Sequence, residues 1–172
     1  FSYGLFNKEI NNLKIAKNLL LLSIKKYPLK INSYILLAEI LRKENNIEDA
    51  LKTLYEAKKV DEYNSDIDYN LAITHKDIKS FNDAIRFIDS AINLQPKNQI
   101  YKILKADILV ESFQNEEAKK LLLNLKLPND SLLFFQREIL ISKLYINKKE
   151  YILAEKVLLE LRKIFNKESI LY

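Results

Sequence analysis

The fold is decided by residues 68–96, which read DYNLAITHKDIKSFNDAIRFIDSAINLQP. Two small residues in this stretch, Ala72 and Ala84, lie twelve positions apart, and the bulky Ile88 follows the second of them after one helical turn. A small residue lets a neighbouring helix cross closely, and a large residue one turn further on packs against that neighbour. The stretch therefore predicts two consecutive helices that meet at a contact between two alanines.

The same pattern recurs along the whole chain. Steps of 34, 34, 34 and 36 residues separate the alanines Ala16, Ala50, Ala84, Ala118 and Ala154. Twelve positions before each alanine is another small residue: Gly4, Ala38, Ala72, Ala106 and Ser142. Four positions after each alanine is a large aliphatic residue: Leu20, Leu54, Ile88, Leu122 and Leu158. Because repetition at this period is typical of helical repeat proteins, the sequence predicts one helical hairpin copied five times.

The composition supports an all-α fold. The 172 residues include one glycine and three prolines, too few for the turns that sandwiches and barrels need. The absence of cysteine excludes disulfides and cysteine–zinc clusters, and it leaves the compartment open between cytosol and periplasm. The longest apolar run, Leu19–Leu22, is too short to span a bilayer. The net charge of +5 is not concentrated in a basic stripe, which argues against a nucleic-acid partner.

The repeats resemble the tetratricopeptide repeat (TPR), whose 34-residue unit reads Trp-x-x-Leu-Gly-x-x-Tyr, then Ala-x-x-x-Phe, then Pro. The third repeat fills these places with Asp68, Leu71, Ala72, His75, Ala84, Ile88 and Pro96. The resemblance implies an all-α, right-handed solenoid of antiparallel helix hairpins, with other helical solenoids as the alternative. It places the repeats of a single array at about residues 1–30, 31–64, 65–98, 99–134 and 135–168, with the start of a capping or further helix at 169–172.

Asparagine pairs predict the turns inside the first two hairpins. Asn11–Asn12 and Asn45–Asn46 stand between the paired helices, and asparagine both tolerates left-handed backbone conformation and caps helices. The later turns depart from this chemistry, because they carry Lys79–Ser80, Phe113–Gln114 and Lys149–Glu150.

The 36-residue step coincides with residues 127–131, which read LPNDS. A longer linker, or one extra turn on the next helix, is expected to absorb the two added residues. The apolar residues Leu132–Phe135 come directly afterwards. We expect them to pack against the fourth repeat, and a docking patch is the alternative.

No residue pattern in the chain predicts catalysis. The single histidine, His75, has no Ser, Cys or second His at a suggestive spacing, and it stands where the TPR family has a tyrosine packed between helices. We therefore expect His75 to be structural. Acidic neighbours such as Glu116–Glu117 open a helix, where they offset its dipole. Without a glycine-rich loop or acidic residues at calcium-loop spacing, the sequence predicts a protein that is not an enzyme and has no cofactor or metal site.

The resemblance implies a binding groove on the concave wall, which the first helix of each hairpin forms in this family. The groove-facing positions of the second and third repeats are Ile35, Glu39, Arg42, Tyr69, Ile73 and Lys76. Those of the fourth and fifth are Ile103, Asp107, Val110, Ile139, Lys143 and Ile146. The family's clamp for a chaperone's C-terminal carboxylate is absent, since Ile35 and Glu39 replace two of its residues. The remaining apolar ladder, flanked by both charges, suits an amphipathic helix or an extended apolar peptide, unless the repeats bury part of it themselves.

We predict a scaffold or adaptor that binds a peptide or helix of a partner protein in this groove. The alternative is a structural oligomerisation or regulatory arm of a longer protein, and a homo-oligomer is compatible with either function. Single-stranded RNA binding, as in a related helical-hairpin family, fits less well because that family has a 35-residue period and regular base-reading positions. The chain begins at Phe1, contains no methionine, and reaches the first motif position of a sixth unit at Tyr172. We therefore expect both ends to be cut from a longer protein.

Overall fold

The computed structural model describes the backbone of residues 2–128 and 131–168 and the side chains of residues 12–128 and 131–164. The chain is 80% helical, and the described ranges contain no strand, so the predicted all-α class is confirmed. The helices are α1 (Ser2–Lys26), α2 (Ile31–Lys43), α3 (Ile47–Val60), α4 (Ser65–Asp77), α5 (Phe81–Leu94), α6 (Gln99–Glu111), α7 (Asn115–Leu123), α8 (Leu132–Asn147) and α9 (Tyr151–Glu168).

These helices belong to two compact units. Helices α1 to α5 lie in Phe1–Leu94, and α6 to α9 lie in Gln95–Tyr172. In the first unit α2 packs against α3 and α4 against α5; in the second, α6 packs against α7 and α8 against α9. The helical hairpins are thus confirmed for these four pairs. The division of the chain into five repeats of a single array stays a prediction, and its capping helix at 169–172 lies outside the described residues.

The small residues of the repeat lie inside the hairpins. The fully buried alanines and aliphatic residues of the inner repeats are Ala50, Leu54, Ala84, Ile88, Ala118 and Leu122. The upstream small residues Ala38, Ala72 and Ala106 are buried as well. Burying one Leu or Ile side chain contributes about 1.5 to 3 kcal/mol, so these positions supply much of the stability of each hairpin. The burial of Gly4, the small residue of the first repeat, lies outside the described residues.

Each of the four hairpins turns through a residue with left-handed backbone: Asn45 (φ 59°), Lys79 (φ 59°), Phe113 (φ 60°) and Lys149 (φ 63°). The next amide then donates to a carbonyl five residues earlier. One such bond joins Asn46 N to the Leu41 carbonyl at 2.8 Å, and another joins Gln114 N to the Leu109 carbonyl at 2.8 Å. This Schellman arrangement satisfies carbonyls at the end of the first helix. The turns without asparagine therefore use the same geometry, although L-residues disfavour the left-handed region.

The first helix corrects one prediction. α1 is a single helix of 25 residues, so the turn expected at Asn11–Asn12 is wrong. Asparagine costs a helix only about 0.5 kcal/mol per residue relative to alanine, which does not end a helix by itself. At Asn45–Asn46 the chain does turn, and there Leu41 and Ala50 on either side are buried in the hairpin. Packing on both sides of the turn, rather than the asparagine pair, decides where the chain reverses.

The 36-residue step is absorbed between α7 and α8. α8 has 16 residues whereas α6 has 13. The linker between α7 and α8 is also longer than the linkers that follow α3 and α5. Ser131 is the N-cap of α8: its hydroxyl oxygen accepts a hydrogen bond from the backbone N–H of Phe134 at 3.1 Å. Both predicted solutions therefore occur together. Of the apolar cluster, Phe134 is buried while Leu132 is exposed, so only part of it packs inward.

Candidate protein-binding surface

In the first unit, the candidate surface lies on α2 and α4, which pack against each other. Tyr69 on α4 is half-buried, and its burial raises the pKa of the phenol. The charges of three candidate residues act on this pKa as well: Arg42 on α2 and Lys76 on α4 lower it, and Glu39 on α2 raises it. Arg42, Glu39 and Lys76 therefore lie near enough to the Tyr69 phenol for their charges to act on it.

An ion pair joins the two helices at one end of this surface. Nε of Arg42 donates to Oδ2 of Asp77 at 2.9 Å, and both side chains are partly exposed. A partly exposed pair of this kind contributes about 1 kcal/mol or less to stability, so its main effect is to fix the position of the guanidinium. Ile35 and Ile73 are half-buried, which leaves part of each side chain open to a ligand.

In the second unit, the predicted positions behave differently on α6 and on α8. Ile103 and Val110 on α6 are 7% and 3% exposed, so they cannot contact a partner directly. Ile139 and Ile146 on α8 are 44% and 47% exposed. The alternative in which the repeats bury part of the apolar ladder thus holds for the two α6 residues.

Charged residues connect these two helices as well. Nζ of Lys143 on α8 lies 3.5 Å from Oδ1 of Asp107 on α6. Lys143 is exposed and Asp107 is half-buried. Like the Arg42–Asp77 pair of the first unit, this pair joins the first helices of two successive hairpins. In each unit, the ion pair that joins these helices includes a charged candidate residue.

The α8–α9 hairpin has a surface pocket of about 390 Å³, and Ile146 is the one lining residue that the sequence also assigned to the groove. Its lining residues are Ile146, Tyr151, Ala154, Glu155, Leu158, Leu159 and Arg162. Leu158 occupies the repeat position of Leu54 and Leu122, which are fully buried, and the repeat pattern therefore assigns it to the core. Only the tertiary structure shows that Leu158 is exposed.

His75 is buried in an aromatic cluster, which agrees with its expected structural role. Its ring stacks on Phe87 with centroids 5.3 Å apart, and its Nε2 shares a hydrogen bond with the Tyr55 hydroxyl at 3.0 Å. Burial lowers the pKa of His75, and the nearby Asp83 carboxylate opposes this shift only in part. The neutral imidazole is therefore the favoured form at neutral pH.

Among the side chains of residues 12–128 and 131–164, no group of three or more His, Cys, Asp or Glu residues is arranged to hold a metal ion. No helix within residues 2–128 and 131–168 combines the length and the apolarity that crossing a membrane requires.

No model of a protein family matches the sequence. Human protein O-mannosyl-transferase TMTC3 is 33% identical over 96 residues, which make up 54% of this chain and 10% of that protein. The chain thus spans about a tenth of the length of this relative.

Solved structures show a closer likeness in fold than in sequence. A tetratricopeptide repeat protein from Parabacteroides merdae has a TM-score of 0.75 at 18% identity, covering 99% of this chain and 66% of that one. Kinesin light chain TPR-like repeats from Podosopora anserina have a TM-score of 0.74 at 14% identity, covering 97% and 92%. YrrB, described as a TPR protein with an unusual peptide-binding site, has a TM-score of 0.60 at 19% identity, covering 82% and 73%. At these identities the likeness establishes the fold: this chain has the all-helical repeat fold of tetratricopeptide-repeat proteins.

Proposed function

We propose that this chain is a protein-interaction scaffold that binds a peptide or an amphipathic helix of a partner protein on the first helices of its hairpins. The observation that carries the proposal is the α2–α4 surface, where the half-buried Tyr69 is subject to charges of both signs and where Ile35 and Ile73 are half-buried. An aromatic ring with a polar tip, supported by aliphatic neighbours, is the kind of anchor that dominates interface energies.

The chemistry of the surface selects the ligand class. Ile35 and Ile73 offer apolar contacts, while Glu39 and Lys76 can each pair with an opposite charge on the ligand. An amphipathic helix supplies apolar residues on one face with charges at its border, and so matches this arrangement. The fold likeness to YrrB, which is described as having a peptide-binding site, supports a peptide as the ligand.

The second unit carries candidate residues of its own. There Asp107, Ile139, Lys143 and Ile146 are the accessible candidate residues. Ile103 and Val110 are buried and are proposed to support this surface from inside rather than to contact the partner. We propose no catalytic role for these repeats, because the candidate side chains are engaged in packing and ion pairs, and His75 is enclosed by Tyr55 and Phe87.

Affinity capture from a native lysate, followed by crosslinking through lysine and mass spectrometry, tests the proposal. We expect partner crosslinks at Lys43 and Lys76, which lie on α2 and α4. Lys52 lies on α3, the second helix of its hairpin, and should crosslink weakly. Partner crosslinks concentrated on Lys52 and its α3 neighbours would contradict the proposed surface.

A second candidate function is a structural or regulatory arm of a longer protein. The likeness to TMTC3 favours it, since the matched region is a tenth of a protein named as a transferase. Deleting the repeats from the full-length protein tests this function. If the deletion lowers the activity or changes the oligomeric state of the remainder while no partner is captured, the arm function replaces the scaffold function.

A further inference from the structure

One side of α2 carries an apolar, an acidic and a basic candidate residue in succession. Ile35, Glu39 and Arg42 follow each other at spacings of four and three residues, so they lie on the same side of this helix. The charges of Glu39 and Arg42 both act on the phenol of Tyr69 on α4. A ligand that covers Tyr69 therefore meets two opposite charges that are one helical turn apart on α2.

Arg42 is oriented through one of its three side-chain nitrogens. Its Nε donates to Oδ2 of Asp77 at 2.9 Å, and its side chain is 20% exposed. Nη1 and Nη2 of Arg42 have no hydrogen-bond acceptor within the described part of the chain. A guanidinium has donors on all three nitrogens and binds a carboxylate best through two parallel hydrogen bonds. Asp77 therefore fixes the position of Arg42 and leaves its two terminal nitrogens for a carboxylate of the ligand.

Glu39 supplies the opposite charge. It is half-buried, and it forms no ion pair with the described residues. Partial burial removes part of the water that screens a carboxylate, so a positive charge on the ligand is attracted more strongly here than at a fully exposed position. Glu39 therefore suits a lysine or an arginine of the ligand.

The repeat does not require this pair of charges. The equivalent positions of α4, 34 residues further on, are Tyr69, Ile73 and Lys76. Ile73 thus stands where α2 has its acidic residue, and α4 is a helix of the same 13 residues without it. The acidic residue one turn before a basic one is therefore a property of the α2 surface and not of the hairpin fold.

We propose that the partner segment is a helix that carries a basic and an acidic residue one turn apart, the basic residue pairing with Glu39 and the acidic residue with Arg42. The inference rests on the proposed function, because it names the ligand charges that the same α2–α4 surface selects. A ligand helix with two residues of one sign at these places loses one ion pair and sets like charges against each other. The surface thereby selects against such a helix.

Three synthetic alanine-based peptides test the inference. They share one stripe of leucines and differ only at two border positions one turn apart, which carry Lys and Glu, two Lys, or two Glu. Fluorescence anisotropy measures the affinity of each labelled peptide for the protein. We expect the wild type to bind the Lys/Glu peptide about fivefold more tightly than either of the others, because a partly exposed ion pair adds a factor of up to about this size.

Neutral variants test the two residues separately. Glu39→Gln should abolish the discrimination between the Lys/Glu and the Glu/Glu peptide, because the basic residue of the ligand then has no partner. Arg42→Gln should abolish the discrimination between the Lys/Glu and the Lys/Lys peptide, because the acidic residue then has none. Differences in helicity among the peptides cancel, since the same peptides are compared on the wild type and on each variant.

Lys52→Gln and Glu56→Gln are the matched controls, since these exposed residues lie one turn apart on α3. The wild-type preference should persist in both, and circular dichroism of all four variants should match the wild type. Equal affinity of the wild type for the three peptides, no binding of any of them, or an unchanged preference in either Glu39→Gln or Arg42→Gln would overturn the inference. The crosslinking experiment decides the proposed function independently. Partner crosslinks at Lys43 and Lys76 together with equal peptide affinities would mean that the surface is right and the charge pairing wrong.

Discussion

Lys58 and Asp68 form an ion pair whose carboxylate is fully buried: Nζ of Lys58 lies 2.5 Å from Oδ1 of Asp68. The hydroxyl of Ser90 donates to the other carboxylate oxygen at 2.6 Å. The network joins α3, α4 and α5 at the position where the tetratricopeptide motif has tryptophan. An acidic residue is tolerated there because both of its oxygens have donors.

Asp68→Ala should lower the free energy of unfolding by about 2 to 4 kcal/mol, because it leaves the Lys58 ammonium and the Ser90 hydroxyl without their acceptor. Urea denaturation followed by circular dichroism measures the change. Glu56→Ala, at an exposed position on α3, is the control and should change stability little. Equal stability of Asp68→Ala and wild type would show that the network is dispensable.

Glycine at the left-handed turn residues should stabilise the protein. Lys79 and Phe113 have φ of 59° and 60°, a region that L-residues enter at a cost. Lys79→Gly and Phe113→Gly are each expected to raise the unfolding free energy by up to about 1 kcal/mol, since glycine adopts this conformation freely. Thermal and urea denaturation measure the gain. Ile78→Gly, next to Lys79 with a φ of −94°, should not stabilise, and a similar gain there would refute the backbone explanation.

Ala84→Leu should destabilise the α4–α5 hairpin. Ala84 is fully buried on α5, and Ala72 on α4 is buried too. A larger side chain at this site must displace its neighbours, which should cost about 1 to 3 kcal/mol of unfolding free energy. Asn82→Leu, at an exposed position on the same helix, serves as the control in the same denaturation experiment. A neutral Ala84→Leu would mean that the site is not a close helix crossing.

Stability should fall with acidification through the titration of His75. Burial lowers the pKa of His75 below its usual 6.5, so the folded state binds a proton less readily than the unfolded state. The contribution of His75 to the free energy of unfolding is therefore complete above pH 6.5. It is lost as the pH falls through the lowered pKa of the folded state. His75→Gln, which removes the chain's single histidine, should flatten the part of the stability profile that lies below pH 6.5. An identical pH dependence in both proteins would exclude His75 as its source.

The proposed binding surface gives a prediction about affinity. Replacing both Tyr69 and Ile73 with alanine should weaken binding of the partner by about 2 kcal/mol or more, because anchors of this kind carry most of an interface's energy. Ile103 is unsuitable for this experiment, since it is buried and its truncation would lower stability. Isothermal titration calorimetry with the captured partner measures the loss, and Lys52→Ala on α3 is the control. Unchanged affinity of the double variant would place the interface elsewhere.

The all-α class and the buried positions of the inner hairpins could be predicted from the sequence. Ala50, Ala84 and Ala118 are buried where their spacing predicts, because a close helix crossing admits only a small side chain wherever it recurs. Because the need for a small side chain applies to single positions, it can be recognised in the sequence. The family resemblance rests on the same positions.

The positions of the turns and the exposure of individual apolar residues could not be predicted from the sequence. Asn11–Asn12 continues a helix and Asn45–Asn46 ends one, although both pairs have the same intrinsic preference. Val110 is buried and Ile146 is exposed at equivalent repeat positions. The physical reason is that side-chain burial depends on which helix packs alongside, and that neighbour is supplied by residues distant in the chain.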